Sequence, residues 1–128
     1  MKIKLGQLVN SQTALQDLAS KQLLAKNAFR LKRALMAAEE PLKVYVAVRD
    51  DLIKKYGETI GELVQIKPNT PGMKSFNEEI APMLDNEIEL AIDKLPFETI
   101  ADVKISADNL FLLDWLIDEP KPDAPTTP

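Results

Sequence analysis

The chain has 128 residues, of which 45% are hydrophobic and 28% are charged, and it contains neither histidine nor cysteine. This composition is typical of a folded globular protein, and the length suits one domain. The missing residue types exclude disulfide bonds, thiolate metal sites and hydrolases that depend on histidine or cysteine. The apolar runs are far shorter than the roughly 20 residues that cross a bilayer, so we expect no signal peptide and no membrane partner.

The two halves of the sequence carry opposite charge. From Met1 to Tyr56 there are 11 lysines and arginines against 5 aspartates and glutamates, a balance of +6. From Gly57 to Pro128 the counts are 5 and 15, a balance of −10. Such polarity is satisfied either inside the fold, by a basic helix lying on acidic strands, or between copies and partners, whose docking it would steer. The sequence leaves both alternatives open.

The first twenty residues predict a short extended segment followed by a helix. Ile3 and Leu5 alternate with lysines, which is the period of a half-buried strand or an extended lead-in. Asn10 or Ser11 can then cap a helix that reaches Ala19, because a side-chain oxygen accepts hydrogen bonds from amides that the first turn leaves unpaired.

A helical stripe from about Leu24 to Tyr56 is the strongest pattern in the sequence. Apolar residues recur at alternating steps of four and three, with Arg49 as the one polar residue of the series. Pro41 lacks the amide that a helix interior needs, which costs about 3 kcal/mol, so the helix must kink or restart there. Because the apolar phase continues across Pro41, we expect a kinked helix or two closely joined segments. Gly57 is expected to end it in a left-handed conformation.

The segment after Gly57 predicts a strand and then a helix. Leu63–Ile66 is rich in strand-forming residues. Thr70 suits a helix cap and Pro71 suits the first helical position, since its fixed φ is already helical. We expect the helix that follows to end or bend at Pro82.

The last third of the chain predicts two strands, a helix and a tail. Residues 87–92 alternate so regularly that they predict the best strand, and Val103–Ile105 is a shorter candidate. Ser106 is expected to cap a final helix that reaches Ile117. Residues 118–128 are acidic and proline-rich, which is typical of a disordered tail.

Together these elements predict the class α+β. We expect a single domain over residues 1–117, in which a long, kinked helix and shorter helices pack on a small, mostly antiparallel sheet.

No catalytic or metal site is predicted. Carboxylates are adjacent at Asp50-Asp51 and Glu78-Glu79, but neighbouring helix residues point about 100° apart, so neither pair converges by itself. The glycines Gly57 and Gly61 are not followed by the Lys-Ser or Lys-Thr of a phosphate-binding loop. We therefore expect a protein that is not an enzyme and that uses no cofactor.

A candidate basic patch lies near the start of the long helix. Lys26, Arg30 and Arg33 follow helical spacing, Lys32 lies beside them, and Phe29 is interleaved. Such a stripe could follow a phosphate backbone. The acidic net charge of −4 and the lack of a recognised nucleic-acid-binding motif oppose this, so nucleic acid is the less favoured partner.

A candidate partner interface is formed by Leu110, Phe111 and Trp115 of the final helix and by Arg49. A helix that is apolar on nearly every side is either buried all round or meets a partner. Trp115 accordingly belongs either to the core or to an interface. Arg49 extends its charged end to solvent, pairs with an acid of the second half, or marks a contact surface. Met36, Met73 and Met83 either fill gaps in the core or line a flexible groove for a partner.

Four segments of the chain are distinctive as a set, and they are Gln7–Ser11 with Ala14-Leu15, Ala25–Arg30, Leu52–Glu58, and Leu113–Ile117. In this order they resemble a group of small uncharacterised proteins from tailed bacteriophages and prophages, over most of the chain up to Asp118. Two departures affect the long helix, because Leu24 stands where the resemblance would place a proline and Pro41 falls inside the helix. The resemblance implies a phage product made in a bacterial cytoplasm, and it carries no active site with it.

The expected function is therefore protein–protein interaction, as a virion or assembly component of the tail or connector region. The alternative is a free accessory protein that binds and modulates a host or phage factor, including one associated with nucleic acid. Either would be found in the cytoplasm of the bacterial host or in a particle assembled there.

Overall fold

A computed structural model describes residues 1–120 and has the predicted α+β class. Its helices are α1 (Leu5–Asn10), α2 (Gln12–Ala19), α3 (Ala25–Tyr56), α4 (Pro71–Asp85) and α5 (Ala107–Leu112). Its strands are β1 (Lys2–Lys4), β2 (Glu58–Ile60), β3 (Leu63–Gln65) and β4 (Glu87–Glu89). Strand β1 pairs antiparallel with β4, and β2 with β3. The single small sheet that we expected is thus replaced, in the described residues, by two separate pairs of strands.

Contacts along the chain divide it into two compact units. Unit 1 comprises Met1, Asn10–Ala37 and the chain from Leu90 onward, and unit 2 comprises Lys2–Val9 and Ala38–Glu89. Helix α3 therefore contributes its first part to unit 1 and the remainder to unit 2. A single domain over residues 1–117 stays a prediction, and the predicted tail lies outside the described residues from position 121.

Unit 2 is built around α3, α4 and the β1–β4 sheet. Ile3 is buried in the centre of β1 and pairs with Ile88 of β4, so the predicted extended segment is confirmed for Lys2–Lys4, whereas Leu5, which we included in it, begins α1. The core consists of buried residues from three helices and the half-buried side chains packed on them: Leu5, Tyr45 and Ile80, with Val9, Val46, Leu52, Phe76, Met83, Leu84 and Ile88.

Unit 1 is built around α2, the first part of α3, α5 and the turn that follows α5. Asn109 Nδ2 donates to Asp17 Oδ2 at 3.0 Å, which joins α5 to α2. Leu95 donates its amide to the Leu116 carbonyl at 2.7 Å. The buried apolar residues are Ala14, Leu15, Leu18, Leu31, Ala34, Leu90, Leu95, Ile100, Leu113, Trp115, Leu116 and Ile117.

Helix α3 runs without interruption across Pro41, so one helix forms and no restart occurs. It begins where the Leu24 carbonyl accepts the amides of Asn27 and Ala28, both at 2.9 Å. The predicted stripe is buried or half-buried from Leu31 onward, whereas its first two members, Leu24 and Ala28, are exposed.

The helix ends at Tyr56 as predicted, but the reason we expected is wrong. Gly57 does not adopt a positive φ, which among the glycines of the described chain occurs at Gly61. A side chain at Gly57 would instead overlap the Ile53 carbonyl oxygen and lie 2.9 Å from Cγ1 of Val64. Close approach of the backbone, and not backbone conformation, therefore requires glycine at this position.

Two of the three predicted helix caps are confirmed. Thr70 Oγ1 accepts from the Met73 amide at 3.2 Å, and Ser106 Oγ accepts from the Asn109 amide at 3.1 Å. Ser11 precedes α2 but its side chain makes no cap hydrogen bond. Its hydroxyl accepts a hydrogen bond from Nε1 of Trp115 at 3.1 Å instead.

Two predicted strands and the final helix differ from the structure in their extent. Val103–Ile105 forms no strand, and the strand predicted over residues 87–92 stops at Glu89. Beyond it, the carbonyls of Leu90 and Ile92 accept from the amino group of Met1. Helix α5 ends at Leu112, before the predicted end, since the chain turns there and forms a bridge between Leu95 and Ile117.

Candidate interaction surfaces

An exposed surface lies along the first part of α3, and we name it the exposed α3 face. It is defined by six solvent-facing residues, Lys26, Phe29, Arg30, Lys32, Arg33 and Met36. Phe29 is 64% exposed and Met36 is 61% exposed, although we predicted a core or groove position for Met36. Residues 26, 29, 33 and 36 follow the i, i+3, i+7 spacing of one side of a helix, opposite the buried Leu31 and Ala34.

The cations of the exposed α3 face form no ion pair with an acid of the described residues. The sequence contains no aspartate or glutamate between Gln22 and Ala38. In residues 1–120 none of the four predicted patch residues, Lys26, Arg30, Lys32 and Arg33, forms an ion pair within 4.0 Å. The Arg33 guanidinium instead lies 6.0 Å from the centre of the Phe29 ring. The predicted basic patch is therefore a continuous, unneutralised surface.

Unit 1 also contains an open groove of about 940 Å³, which we name the acidic groove. Among the described residues, its charged lining is dominated by four exposed carboxylates, Glu98, Asp114, Asp118 and Glu119, with Lys94 as the one cation. Half-buried Pro96 and Phe97 give it an apolar part. None of the four carboxylates pairs with a lysine or arginine of the described chain.

Sequence reasoning did not identify this groove, because its residues are far apart in the chain. The excess of acids after Gly57 was visible in the sequence, but not which of them line one concave surface. Residues 94–101 are brought to residues 114–120 by the bridge between Leu95 and Ile117, which no local pattern predicts.

The residues of the predicted C-terminal interface have three different environments. Phe111 is 80% exposed, Leu110 is half-buried, and Trp115 is only 6% exposed. The ring of Trp115 is anchored by its hydrogen bond to Ser11, so it belongs to the interior of unit 1 and not to its surface. Phe111 is therefore the member of this set that is accessible to a partner.

Arg49 of unit 2 is not part of either surface. Its guanidinium lies 5.7 Å from the centre of the Tyr45 ring and its Nη2 is 3.4 Å from Oδ1 of Asp50. The acid of the second half that we expected as its partner is thus replaced by its sequence neighbour. Its Nε is buried without a hydrogen-bond partner among the described atoms.

One charged pair of unit 2 joins the basic and the acidic halves of the sequence. Lys55 Nζ lies 3.7 Å from Oε1 of Glu79, whereas the pair between Lys67 Nζ and Oε2 of Glu58, at 3.5 Å, joins two residues of the acidic half. A hydrogen bond with Tyr56 and then the Glu79 carboxylate raise the pKa of Lys55 above its ordinary value. Glu79 lies on α4 and not on one of the acidic strands that we expected, and the cations of the exposed α3 face form no such pair with described acids.

A further exposed surface is the hairpin of β2 and β3, in which every strand residue is exposed. Ile60 and Leu63 are cross-strand partners beside the turn at Gly61, where φ is +65°. We predicted β3 from its composition but missed β2, because Glu58–Ile60 is too short and polar to indicate a strand by itself.

No three acidic side chains among residues 1–120 lie close enough to hold a metal ion. The buried hydroxyl of Thr99 has no hydrogen-bond partner among the described atoms, which costs stability unless water reaches it. None of the helices described has the length and apolarity that crossing a membrane requires.

Comparison with protein-family models, with curated proteins and with solved structures finds no match for this chain. The resemblance to phage and prophage proteins therefore stays a prediction from the sequence.

Proposed function

We propose that this protein is a non-enzymatic component of a phage particle, or of its assembly, and that it associates with neighbouring copies through the exposed α3 face. The observation that carries the proposal is the combination, on one side of a helix, of large solvent-exposed apolar side chains with cations that form no ion pair in residues 1–120. Aromatic residues, methionine and arginine are the types enriched where protein chains meet. The phage setting rests on the sequence resemblance alone.

The free energies of burial and of association indicate what the partner surface must supply. Burial of the exposed parts of Phe29 and Met36, 64% and 61% of these residues, would contribute about 2–4 kcal/mol. Association itself costs at least about 4 kcal/mol in lost translational and rotational freedom. The apolar residues alone therefore give weak binding at most, and the four cations require opposite charge on the partner, which would also accelerate docking.

A free accessory protein is the second candidate function, and the same cations favour it. With no acidic residue from Gln22 to Ala38, the exposed α3 face would also attract the phosphates of a nucleic acid bound by a host or phage factor. A monomeric protein whose binding to DNA is lost on reversing Arg30 and Arg33 would support this candidate over the first.

The test is the mass of the purified protein in solution, measured by light scattering over a concentration series at low and high salt. We expect a mass above the 14.3 kDa of one chain at low salt, falling towards it at about 1 M salt, where the screening length is only about 3 Å. The double variant Arg30→Glu/Arg33→Glu should have the mass of one chain under all conditions.

The matched control is Lys54→Glu/Lys104→Glu, which changes the net charge equally at two exposed lysines outside the face. It should associate as the unmodified protein does. A mass of 14.3 kDa for the unmodified protein at every concentration and salt would contradict the proposal.

A further inference from the structure

We infer that the acidic groove of a second copy of this chain is the partner of the exposed α3 face. This inference rests on the proposed function and names the surface that the face contacts. Both surfaces belong to unit 1, so every copy presents one of each.

Charge complementarity is the first argument. The exposed α3 face carries four cations and no acid, and the acidic groove carries four carboxylates and one lysine. The guanidinium groups of Arg30 and Arg33 are planar donors that can each bind a carboxylate through two parallel hydrogen bonds. Opposite potentials of this kind favour the docking of these two surfaces over the docking of like with like.

The second argument is that neither set of charges is satisfied within its own copy. No ion pair within 4.0 Å joins any described lysine or arginine to Glu98, Asp114, Asp118 or Glu119, and none joins the cations of the face to an acid. Elsewhere in the described chain some exposed charges form such pairs, as Lys55 does with Glu79, and others, such as Lys54 and Asp51, do not. The two unpaired sets are therefore available to each other across two copies.

The third argument is that both surfaces combine charge with apolar area. Phe29 and Met36 lie on the face together with its cations, and Pro96 and Phe97 line the groove together with its acids. The groove volume of about 940 Å³ is within the range of concave sites that enclose large side chains or ligands. Phe29 is the residue we expect to enter it, since an aromatic anchor in a pocket is the usual centre of such a contact.

This contact joins two different surfaces, and that property gives a direct test. A face variant, Arg30→Glu/Arg33→Glu, keeps its groove, and a groove variant, Asp114→Lys/Glu119→Lys, keeps its face. Each variant alone should have the mass of one chain, with association weakened by more than about tenfold. An equimolar mixture should form a one-to-one complex of twice that mass, because the intact groove of one binds the intact face of the other.

Controls and contrary outcomes are specific to each surface. Asp51→Lys/Glu62→Lys changes the net charge as the groove variant does, at exposed acids outside the groove, and should leave association unchanged. If the face variant dissociates but the groove variant does not, the face binds another surface, so the inference is overturned while the proposed function stands. A mixture that stays at the mass of one chain also overturns it. If the unmodified protein never associates, both fall.

Milder variants and a cross-linking experiment distinguish loss of this contact from misfolding of the charge-reversed variants. Arg30→Gln/Arg33→Gln and Asp114→Asn/Glu119→Gln remove the charges without reversing them and should weaken association in the same way. Because the chain has no cysteine, Arg33→Cys and Asp114→Cys can be joined selectively by a short bismaleimide. The mixture should cross-link into a dimer of the two variants faster than either variant links to itself, and equal rates would contradict the inference.

Discussion

Phe111 and Trp115 are four residues apart, and the sequence assigned both to one helix and one candidate interface. In the structure Phe111 is 80% exposed and Trp115 is 6% exposed. Their environments differ because α5 ends at Leu112 and the chain turns, so helical spacing no longer fixes where residue 115 points. A hydrogen bond from Trp115 to Ser11, far away in sequence, then holds the ring inside unit 1.

At the residue scale, we predict that Trp115→Ala lowers the free energy of unfolding by about 3–5 kcal/mol, the usual cost of removing a buried aromatic ring. Phe111→Ala is the matched control and should change it by no more than about 0.5 kcal/mol, because its ring is in solvent. Urea denaturation at high salt would measure both. An equally stable Trp115→Ala variant that fails to associate would show that the ring serves an interface.

At the element scale, the sequence predicted helix ends well when the signal is local. Thr70, Pro71 and Ser106 act within a single turn of chain, and the structure confirms all three. Strands were predicted less well, since β1 is stabilised by β4, more than eighty residues later. Gly57 lies between these cases. The end of the helix was foreseeable, whereas the close approach of the Ile53 and Gln65 carbonyl oxygens that requires glycine depends on how the chain continues into a hairpin of which only one strand was predicted.

At the same scale, we predict how replacing Pro41 changes the stability of the protein. Its missing amide leaves the Ala37 carbonyl without its helical donor inside α3, at a cost of about 3 kcal/mol. Alanine restores the amide donor. It also raises the conformational entropy of the unfolded chain, which lowers the free energy of unfolding by about 0.4–1 kcal/mol. We therefore expect Pro41→Ala to raise the free energy of unfolding by about 2 kcal/mol, measured by urea denaturation.

The control for this substitution is Pro71→Ala, at the first position of α4, where no amide donor is needed. It should give no gain and a loss of up to about 1 kcal/mol, from the unfolded chain alone. A loss of stability at Pro41 as well would indicate that the packing around α3 requires the local geometry that proline imposes.

At the scale of the whole molecule, the sequence revealed the quantity of charge but not its arrangement. The balances of +6 and −10 could be read directly, and so could the cluster of cations around Phe29. Whether those cations face acids depends on where α3 lies and on how residues 94–101 meet residues 114–120, and both are tertiary facts. The α+β class was predictable because it follows from periodicity, whereas the acidic groove was not because it follows from packing.

Self-association through these charges should make thermal stability depend on concentration. A partner that binds only the folded chain stabilises it by mass action, by up to about 2.7 kcal/mol when its concentration is a hundredfold above Kd. At this chain length 1 kcal/mol shifts Tm by about 2–8 °C. We therefore expect Tm, measured by scanning calorimetry at low salt, to rise by several degrees over an approximately hundredfold increase in protein concentration.

Two comparisons identify the cause of such a rise. At about 1 M salt, where screening acts within about 3 Å, the dependence on concentration should vanish. It should also vanish at low salt in Arg30→Glu/Arg33→Glu but persist in Lys54→Glu/Lys104→Glu, because the two variants carry the same net charge and differ only in where the reversed residues lie. A Tm that is independent of concentration at low salt would contradict self-association through the exposed α3 face.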